Sequence, residues 1–172
     1  PGVDLARPVL FAQLERLSGH TVARMSKVVE QRPLEALGVL VAEDNRTNRL
    51  VVGKLLNNWG ATVHFAQNGQ EAVEIFGSHS KQIDVVLMDC EMPEMDGYSA
   101  TRHIRTLEQS GHRATTPIIA LTAHAMPEFR RRAEEAGMTD YVTKPIQKST
   151  LLKAMLNARD RGQPTAATQL YR

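Results

Sequence analysis

The residues best placed to do chemistry form a run in which a short apolar segment leads directly into acidic side chains. Val85–Met88 is too short for a helix and rich in residues that favour strands, which predicts a strand buried on both faces. Asp89 follows at once, so its carboxylate would stand at the carboxyl end of that strand, where open parallel α/β sheets bind ligands. Taken alone, Asp89 is better explained as a turn or helix-capping carboxylate.

Other strand-like segments end in chemically useful side chains at the same relative place, and they change this interpretation. The segments are Val39–Ala42 before Glu43 and Asp44, Pro117–Leu121 before Thr122, and Asp140–Thr143 before Lys144. Because the carboxyl ends of parallel strands lie along one edge of a sheet, three carboxylates, a hydroxyl and an amine would meet there. This convergence favours a functional site over a set of unrelated turn residues.

The elements that must position these residues alternate between strand and helix five times. The predicted strands are Gly38–Glu43, Ala61–Ala66, Ile83–Asp89, Pro117–Leu121 and Tyr141–Thr143, and the predicted helices are Thr47–Trp59, Gly69–Phe76, Tyr98–Leu107, Pro127–Ala136 and Lys148–Ala158. Core spacing in the first helix is predicted for Val51, Val52, Leu55, Leu56 and Trp59, with Gly60 closing it. Repeated strand–helix units imply an α/β fold with a parallel sheet and right-handed crossovers.

Together these motifs resemble the receiver domains of two-component phosphorelays. The resemblance rests on an ordered set, which is Glu43-Asp44-Asn45, Leu87-Met88-Asp89, Met92-Pro93, Met95-Asp96-Gly97, Leu121-Thr122-Ala123 and Lys144-Pro145. It covers roughly residues 36–159 and is most like the C-terminal receivers of hybrid sensor histidine kinases, on the evidence of Asn48, Ala120–Met126 and Gly137-Met138. It implies a doubly wound, flavodoxin-like sheet of five parallel strands in the order 2-1-3-4-5.

The resemblance implies a metal site in the crevice between the first and third strands. Its ligands would be Asp44, Asp89, the backbone carbonyl of Glu91 and, through a water molecule, Glu43. Clustered carboxylates repel one another, by about 4 kcal/mol for a pair about 4 Å apart at an effective dielectric constant of about 20. A cation must offset this repulsion, and ligands that are all oxygen suit Mg²⁺, with Mn²⁺ as a substitute, better than a caged Ca²⁺ or zinc.

The resemblance also implies what the other site residues do. Asp89 would take a phosphoryl group from a phosphohistidine, and Thr122 and Lys144 would bind the oxygens of the acyl phosphate formed. In the family the bond corresponding to Lys144-Pro145 is a cis peptide, which would aim the lysine inward. Tyr141 matches the aromatic residue that turns inward as Thr122 moves to the phosphoryl group; a simply packed strand aromatic explains Tyr141 equally well.

Two further residues are expected to tune how long the acyl phosphate survives. In receivers, the positions two residues beyond the aspartate and the threonine flank the path of the attacking water, and here they are Glu91 and His124. Because histidine changes its charge near neutral pH, we expect autodephosphorylation to accelerate from about pH 6 to about pH 7.5 and His124→Ala to flatten that dependence. The alternative is that both side chains are solvated and idle.

Composition excludes several classes of function. The net charge is +2, and the only basic run, Arg130–Arg132, is surrounded by glutamates, which favours a solvated helix face over a nucleic-acid contact. The single cysteine, Cys90, fits a reducing cytoplasm and is better explained as a small buried residue than as a thiol nucleophile. No apolar stretch approaches the ~18 residues of a membrane span, so direct membrane insertion is not expected.

The resemblance also implies partners, and the sequence predicts domain limits. The partners would be a histidine kinase dimerisation domain that supplies the phosphoryl group and a histidine phosphotransfer domain that receives it. Residues 37–159 are predicted to be the receiver, residues 160–172 a flexible tail too short for a helix-turn-helix, and residues 1–36 a linker with a helix from about Pro8 to Gln31. Arg7-Pro8 echoes Lys144-Pro145, so this segment is either the end of a preceding receiver or an accidental amphipathic helix.

Three other functions compete with this interpretation. A flavodoxin needs a phosphate loop rich in glycine and hydroxyls after its first strand, whereas Glu43–Asn48 is acidic and lacks glycine. An aspartyl-phosphate hydrolase needs a carboxylate two residues after its nucleophile, where Glu91 stands, but it does not explain the acidic pair Glu43-Asp44. A receiver used only for docking stays open. No kinase core is recognisable, so the expected role is phosphoacceptor, in the cytoplasm, within a parent that can be an inner-membrane sensor kinase.

Overall fold

The computed structural model describes residues 31–162 of the chain. The chain divides into two compact units, residues 1–33 and residues 34–172, and the second unit carries the fold described below. The predicted helix from about Pro8 and the echo at Arg7-Pro8 lie outside the described residues. The predicted tail, residues 160–172, is described only as far as residue 162, and residues 160–162 belong to the last helix and not to a tail.

Five strands alternate with five helices, as predicted. The strands are β1 (Gly38–Ala42), β2 (Thr62–Ala66), β3 (Val85–Asp89), β4 (Ile118–Thr122) and β5 (Asp140–Thr143), and the helices are α1 (Arg46–Asn58), α2 (Gly69–His79), α3 (Gly97–Ser110), α4 (Pro127–Ala136) and α5 (Lys148–Gly162). A short 3₁₀ helix, Ser80–Gln82, was not predicted. Helices α2, α3 and α5 run past their predicted ends at Phe76, Leu107 and Ala158, because helical geometry persists through polar residues that do not break it.

All strands are parallel, and their order is β2-β1-β3-β4-β5, which confirms the predicted topology. The register pairs Ala42 with Met88, Asp89 with Leu121 and Thr122 with Thr143. The carboxyl ends of β1, β3, β4 and β5 therefore lie along one edge of the sheet. The crevice at this edge, between β1 and β3, is the point at which the strand order reverses.

The sheet is buried on both faces, which explains its nearly unbroken apolar strands. Leu40, Ala42, Val86 and Met88 pack with residues of α2, α3 and α4 on one face. Val39, Val41, Val85 and Leu87 pack with residues of α1 and α5 on the other. The strand ends that carry the polar residues are thus held between two layers of helices.

The predicted core face of α1 is partly wrong. Val52, Leu56 and Trp59 are buried, but Val51 is 50% exposed. The three buried residues recur every three or four positions and form one stripe, and Val51 is rotated by about a quarter turn or more from Val52. Val51 and its neighbour Leu50, 63% exposed, therefore face away from the core.

Packing of the second unit starts before β1. Leu34 is completely buried, and its backbone N–H donates to the carbonyl of Trp59 at 2.8 Å. This contact ties the turn before β1 to the end of α1. The linker was predicted to extend to residue 36, and the apolar Leu34 alone carries no signal of the partner that buries it.

Candidate functional site

Three carboxylates meet at the sheet edge as predicted. One oxygen from each of Glu43, Asp44 and Asp89 lies within 4.8 Å of the other two. Glu43 and Asp44 follow β1 directly, and Asp89 is the last residue of β3, the neighbouring strand. Glu43 and Asp89 are buried, whereas Asp44 is exposed at the mouth of the crevice.

The acidic loop between β1 and α1 is held by contacts along its backbone. Oε1 of Glu43 accepts a hydrogen bond of 3.0 Å from the N–H of Asn45, and the Asn45 side chain caps α1 by accepting from the N–H of Asn48 at 3.1 Å. Nη1 of Arg49 donates to the carbonyls of Glu43 and Asp44 at 2.7 and 2.8 Å. The sequence pattern alone indicates no role for Arg49.

Lys144 approaches the carboxylates from the end of β5. Its Nζ lies 2.8 Å from Oε2 of Glu43 and 3.1 Å from Oδ2 of Asp89. The Lys144–Pro145 peptide is cis, as the resemblance implies. Burial lowers the pKa of Lys144, but its contacts with Glu43 and Asp89 outweigh that effect and raise the pKa overall, so the amine is charged.

A proton and a metal ion would compete for the Asp89 carboxylate. Burial, with the Glu43 charge adding to it, raises the pKa of Asp89 to about 7, although Lys144 opposes the rise. Oδ1 accepts a hydrogen bond of 3.1 Å from the N–H of Glu91. The chain after Asp89 turns back tightly, because a Cβ at Gly97 would lie 2.1 Å from the Asp89 carbonyl oxygen.

Thr122 and Tyr141 both line a very small cavity. Oγ1 of Thr122, at the end of β4, donates to the carbonyl of His124 at 3.3 Å and accepts from its N–H at 3.1 Å. The cavity has a volume of only about 10 Å³. Arg130 lies 4.3 Å from the centroid of the Tyr141 ring and hydrogen-bonds the Tyr141 hydroxyl.

The basic run on α4 is exposed to solvent, as predicted, and two of its arginines also contact aromatic rings. Arg130 covers the Tyr141 ring, and Arg132 lies 4.4 Å from the centroid of the Tyr98 ring. Such cation–π contacts stabilise exposed sites modestly, by about 0.5–1 kcal/mol. Their partners belong to other elements, so the spacing along α4 could not reveal them.

The two side chains predicted to tune the phosphoryl lifetime contact each other. Nε2 of His124 lies 2.9 Å from Oε1 of Glu91; the Glu91 side chain is largely exposed and that of His124 is half-buried. The imidazole is stacked on the Phe129 ring, with centroids 4.2 Å apart. Phe129 therefore packs against the His124 member of the pair. The effect of the pair on the phosphoryl lifetime stays a prediction.

Cys90 is buried, as predicted. Burial raises the pKa of its thiol to about 11, so the thiolate needed for nucleophilic attack is scarce at neutral pH. Burial is the chief cause that raises the pKa of the neighbouring Tyr98 hydroxyl to about 12. Both groups thus contribute uncharged packing beside Asp89.

An open cavity of about 380 Å³ adjoins the acid cluster, with Asp44, Glu91, Met92, Asp96 and Arg132 among its lining residues. The donors along this edge are carboxylate and carbonyl oxygens, and Asp44 is exposed to water. Mg²⁺ prefers one or two carboxylates and retains several waters, so the residues present fit this ion. A doubly wound parallel sheet with such a cluster at its switch point, opposed by a lysine and a threonine, defines a phosphoacceptor domain of the receiver class.

Comparisons with known proteins agree with that class. Residues 39–156 match the model of the response regulator receiver domain. The chain is 39% identical over 164 residues to probable histidine kinase 2 of Oryza sativa subsp. indica, covering 88% of this chain and 15% of the relative. The chain belongs to the response regulator receiver domain family.

Solved structures show the same architecture. The receiver domain of a sensor histidine kinase from Pseudomonas aeruginosa, with a magnesium ion coordinated in its active-site cleft, is 36% identical and matches with a TM-score of 0.65 over 73% of this chain and 98% of that one. The receiver domain of Ssk1 from Saccharomyces cerevisiae, crystallised with the histidine phosphotransfer protein Ypd1, is 29% identical, with a TM-score of 0.72 over 77% of this chain and 94% of that one.

The chain spans about 15% of the length of the rice relative. The match therefore concerns the receiver domain and not the activity of a whole kinase. Within residues 31–162, no helix has both the length and the apolar character needed to cross a bilayer.

Proposed function

We propose that Asp89 is the phosphoacceptor of this receiver and that Thr122 and Lys144 hold the phosphoryl group once it is attached. The observation that carries the proposal is the setting of the Asp89 carboxylate, with Oδ1 bound by the Glu91 N–H and Oδ2 beside the Lys144 ammonium. A carboxylate oriented at both oxygens is positioned for attack. The bond from phosphorus to the imidazole nitrogen of a phosphohistidine breaks as the bond to Asp89 forms, and the imidazole leaves with the electron pair.

Asp44, Asp89, the Glu91 carbonyl and, through water, Glu43 would hold Mg²⁺, and Mn²⁺ can take its place. Bound Mg²⁺ supplies positive charge that neutralises oxygens of the transferring phosphoryl group. The chain's own groups share this work, because Lys144 is charged and within reach of Asp89. When Asp89 becomes an acyl phosphate, the ammonium can donate to a phosphoryl oxygen instead of Oδ2.

Thr122 and Tyr141 would convert phosphorylation into a change of shape. The Thr122 hydroxyl currently bonds only the backbone of His124 among the described residues, so moving it to a phosphoryl oxygen breaks two modest hydrogen bonds. Thr122 and Tyr141 both line a cavity of about 10 Å³, so inward rotation of the ring would need the lining to move. Inward rotation of the ring also has to break the contact of Arg130 with Tyr141.

The phosphodonor or acceptor would bind on α1 beside the crevice. Leu50 and Val51 are exposed on this helix, which begins two residues after Asp44, and Phe65 of β2 is 40% exposed next to it. A Cβ at Gly53 would lie 2.5 Å from the Phe65 ring, so the ring packs directly on the α1 backbone. We assign this apolar surface to the domain that carries the phosphohistidine, either a kinase dimerisation domain or a histidine phosphotransfer domain, in the cytoplasm.

Beryllofluoride, which mimics a phosphoryl group, tests the proposal against the docking-only alternative. With Mg²⁺, beryllofluoride should bind the parent and shift the NMR signals of Thr122 and Tyr141, but should not bind Asp89→Asn. A domain used only for docking would bind a phosphotransfer partner through α1 while ignoring beryllofluoride.

A further inference from the structure

The Arg49 side chain contacts the backbone of the acidic loop between β1 and α1, and not the carboxylates of that loop. One guanidinium nitrogen, Nη1, donates to the carbonyl oxygens of both Glu43 and Asp44, at 2.7 and 2.8 Å. Arg49 is itself half-buried in the first turn of α1, a helix anchored by the Asn45 cap. The side chain therefore connects a rigid helix to the two peptide groups at which the chain leaves β1.

These two carbonyls lie on either side of one Cα atom. The carbonyl of Glu43 belongs to the peptide group before the Asp44 Cα, and the carbonyl of Asp44 belongs to the peptide group after it. Fixing both peptide planes fixes φ and ψ of Asp44, and the direction of a Cα–Cβ bond follows from those two angles. Arg49 thus constrains the direction in which the Asp44 side chain leaves the backbone.

Packing does not hold the Asp44 side chain in place, so its orientation depends on the backbone. The side chain of Glu43 is buried and bonded to Asn45, and Asp89 is held by Glu91 and Lys144, whereas Asp44 is exposed. An exposed carboxylate loses rotational and backbone freedom on binding a metal, and that entropic cost weakens binding. A loop fixed in advance has already lost part of that freedom.

We propose that Arg49 is a positioning residue for the metal site, which acts by holding the backbone of Asp44 in the conformation that binds Mg²⁺. This inference rests on the proposed function, in that it takes Asp44 as a metal ligand. It differs from an electrostatic role, because a cation close to a cation site should weaken Mg²⁺ binding and not strengthen it. The two effects of removing Arg49 therefore have opposite signs.

Arg46 provides the matched control. It occupies the first position of α1, carries the same charge, and stands closer to Asp44 along the chain than Arg49 does. Within residues 31–162, it forms no side-chain hydrogen bond to either loop carbonyl, in contrast to Arg49. Arg46→Gln therefore removes charge alone, whereas Arg49→Gln removes both charge and the backbone contact.

The test is calorimetric titration of MgCl₂ into the parent, Arg49→Gln, Arg49→Lys and Arg46→Gln, with thermal unfolding in EDTA for each. We expect Arg49→Gln to weaken Mg²⁺ binding about tenfold or more, as loss of an outer-sphere partner commonly does. Arg49→Lys, which keeps the charge but loses the planar donor geometry, should also weaken it. Arg46→Gln should bind Mg²⁺ as tightly as the parent or more tightly.

Mg²⁺ binding by Arg49→Gln that equals or exceeds that of the parent would overturn the inference, as would equal weakening in Arg46→Gln. If Arg49→Gln unfolds at a markedly lower temperature, Arg49→Lys decides: a lysine variant that melts like the parent and binds Mg²⁺ like the parent also overturns it. A parent that binds no Mg²⁺ would instead contradict the proposed metal site, and the inference with it.

Discussion

Nζ of Lys144 lies 3.1 Å from Oδ2 of Asp89, although the two residues end strands separated by β4. The same ammonium lies 2.8 Å from Oε2 of Glu43. Without a metal, Lys144 is thus the cation that offsets two buried carboxylates. Because both carboxylates also belong to the proposed metal site, the lysine and Mg²⁺ share one task, and their contributions can be separated by mutation.

Lys144→Ala should destabilise the metal-free domain, by about 2–3 kcal/mol, because it leaves Glu43 and Asp89 without their cation in a partly water-accessible site. Mg²⁺ should restore part of that loss and should still bind, because the lysine is not among the proposed ligands. Urea denaturation with EDTA and with Mg²⁺ measures both effects. A variant that no longer binds Mg²⁺ would show that Lys144 does more than neutralise charge and contact the phosphoryl group.

Asp44→Ala should abolish or greatly weaken Mg²⁺ binding while leaving the fold intact. Asp44 is exposed, and removing its charge relieves repulsion with Glu43 and Asp89, so the melting temperature in EDTA should stay level or rise. Calorimetric Mg²⁺ titration and a thermal melt of the same sample provide the measurement. A large fall in the melting temperature would mean that Asp44 is structural.

The raised pKa of Asp89 predicts a specific dependence of stability on pH. Because its pKa is about 7 in the folded state and ordinarily 3.8, folding favours the protonated form. Stability from this group is complete below about pH 4 and is lost as the pH rises through about 7. In EDTA, the melting temperature of Asp89→Asn should therefore exceed that of the parent by a margin that grows from about pH 5 to about pH 8. A margin independent of pH would contradict the raised pKa.

Much of this site could be predicted from sequence because its residues stand where apolar strands end. Asp89 and Thr122 each stand at the end of a short apolar run and Lys144 directly follows a short strand, and a parallel sheet brings such strand ends to one edge. The contacts of Arg49 and Arg130 could not be predicted in this way. One binds backbone carbonyls, which every residue carries, and the other covers a ring on a different element.

The errors in the predicted core have a similar cause. The apolar spacing of α1 predicts a buried Val51, but contacts with the sheet set the rotation of the helix about its axis and leave Val51 exposed. Leu34 is buried against the end of α1, a partner that its own flanking residues do not indicate.

The contact between His124 and Glu91 makes the lifetime prediction more specific. A protonated His124 would pair with Glu91 across 2.9 Å and hinder water, whereas a neutral one can orient water for attack on the acyl phosphate. Decay of the phosphorylated domain should accelerate from about pH 6 to about pH 7.5, and His124→Ala should flatten that profile. His124→Gln, which keeps a hydrogen-bond donor without the charge change, is the matched control and should flatten it too. Superimposable profiles for the parent and His124→Ala would exclude a role for the imidazole.

Intact mass after incubation with Mg²⁺ and acetyl phosphate tests the central claim most directly. The parent should gain the mass of one phosphoryl group, as should Asp140→Asn, whose carboxylate starts β5 at the opposite edge of the sheet. Asp89→Asn, and the parent in EDTA, should gain none, because nucleophile and metal are both required. Undiminished labelling of Asp89→Asn would contradict the assignment of Asp89 as the phosphoacceptor.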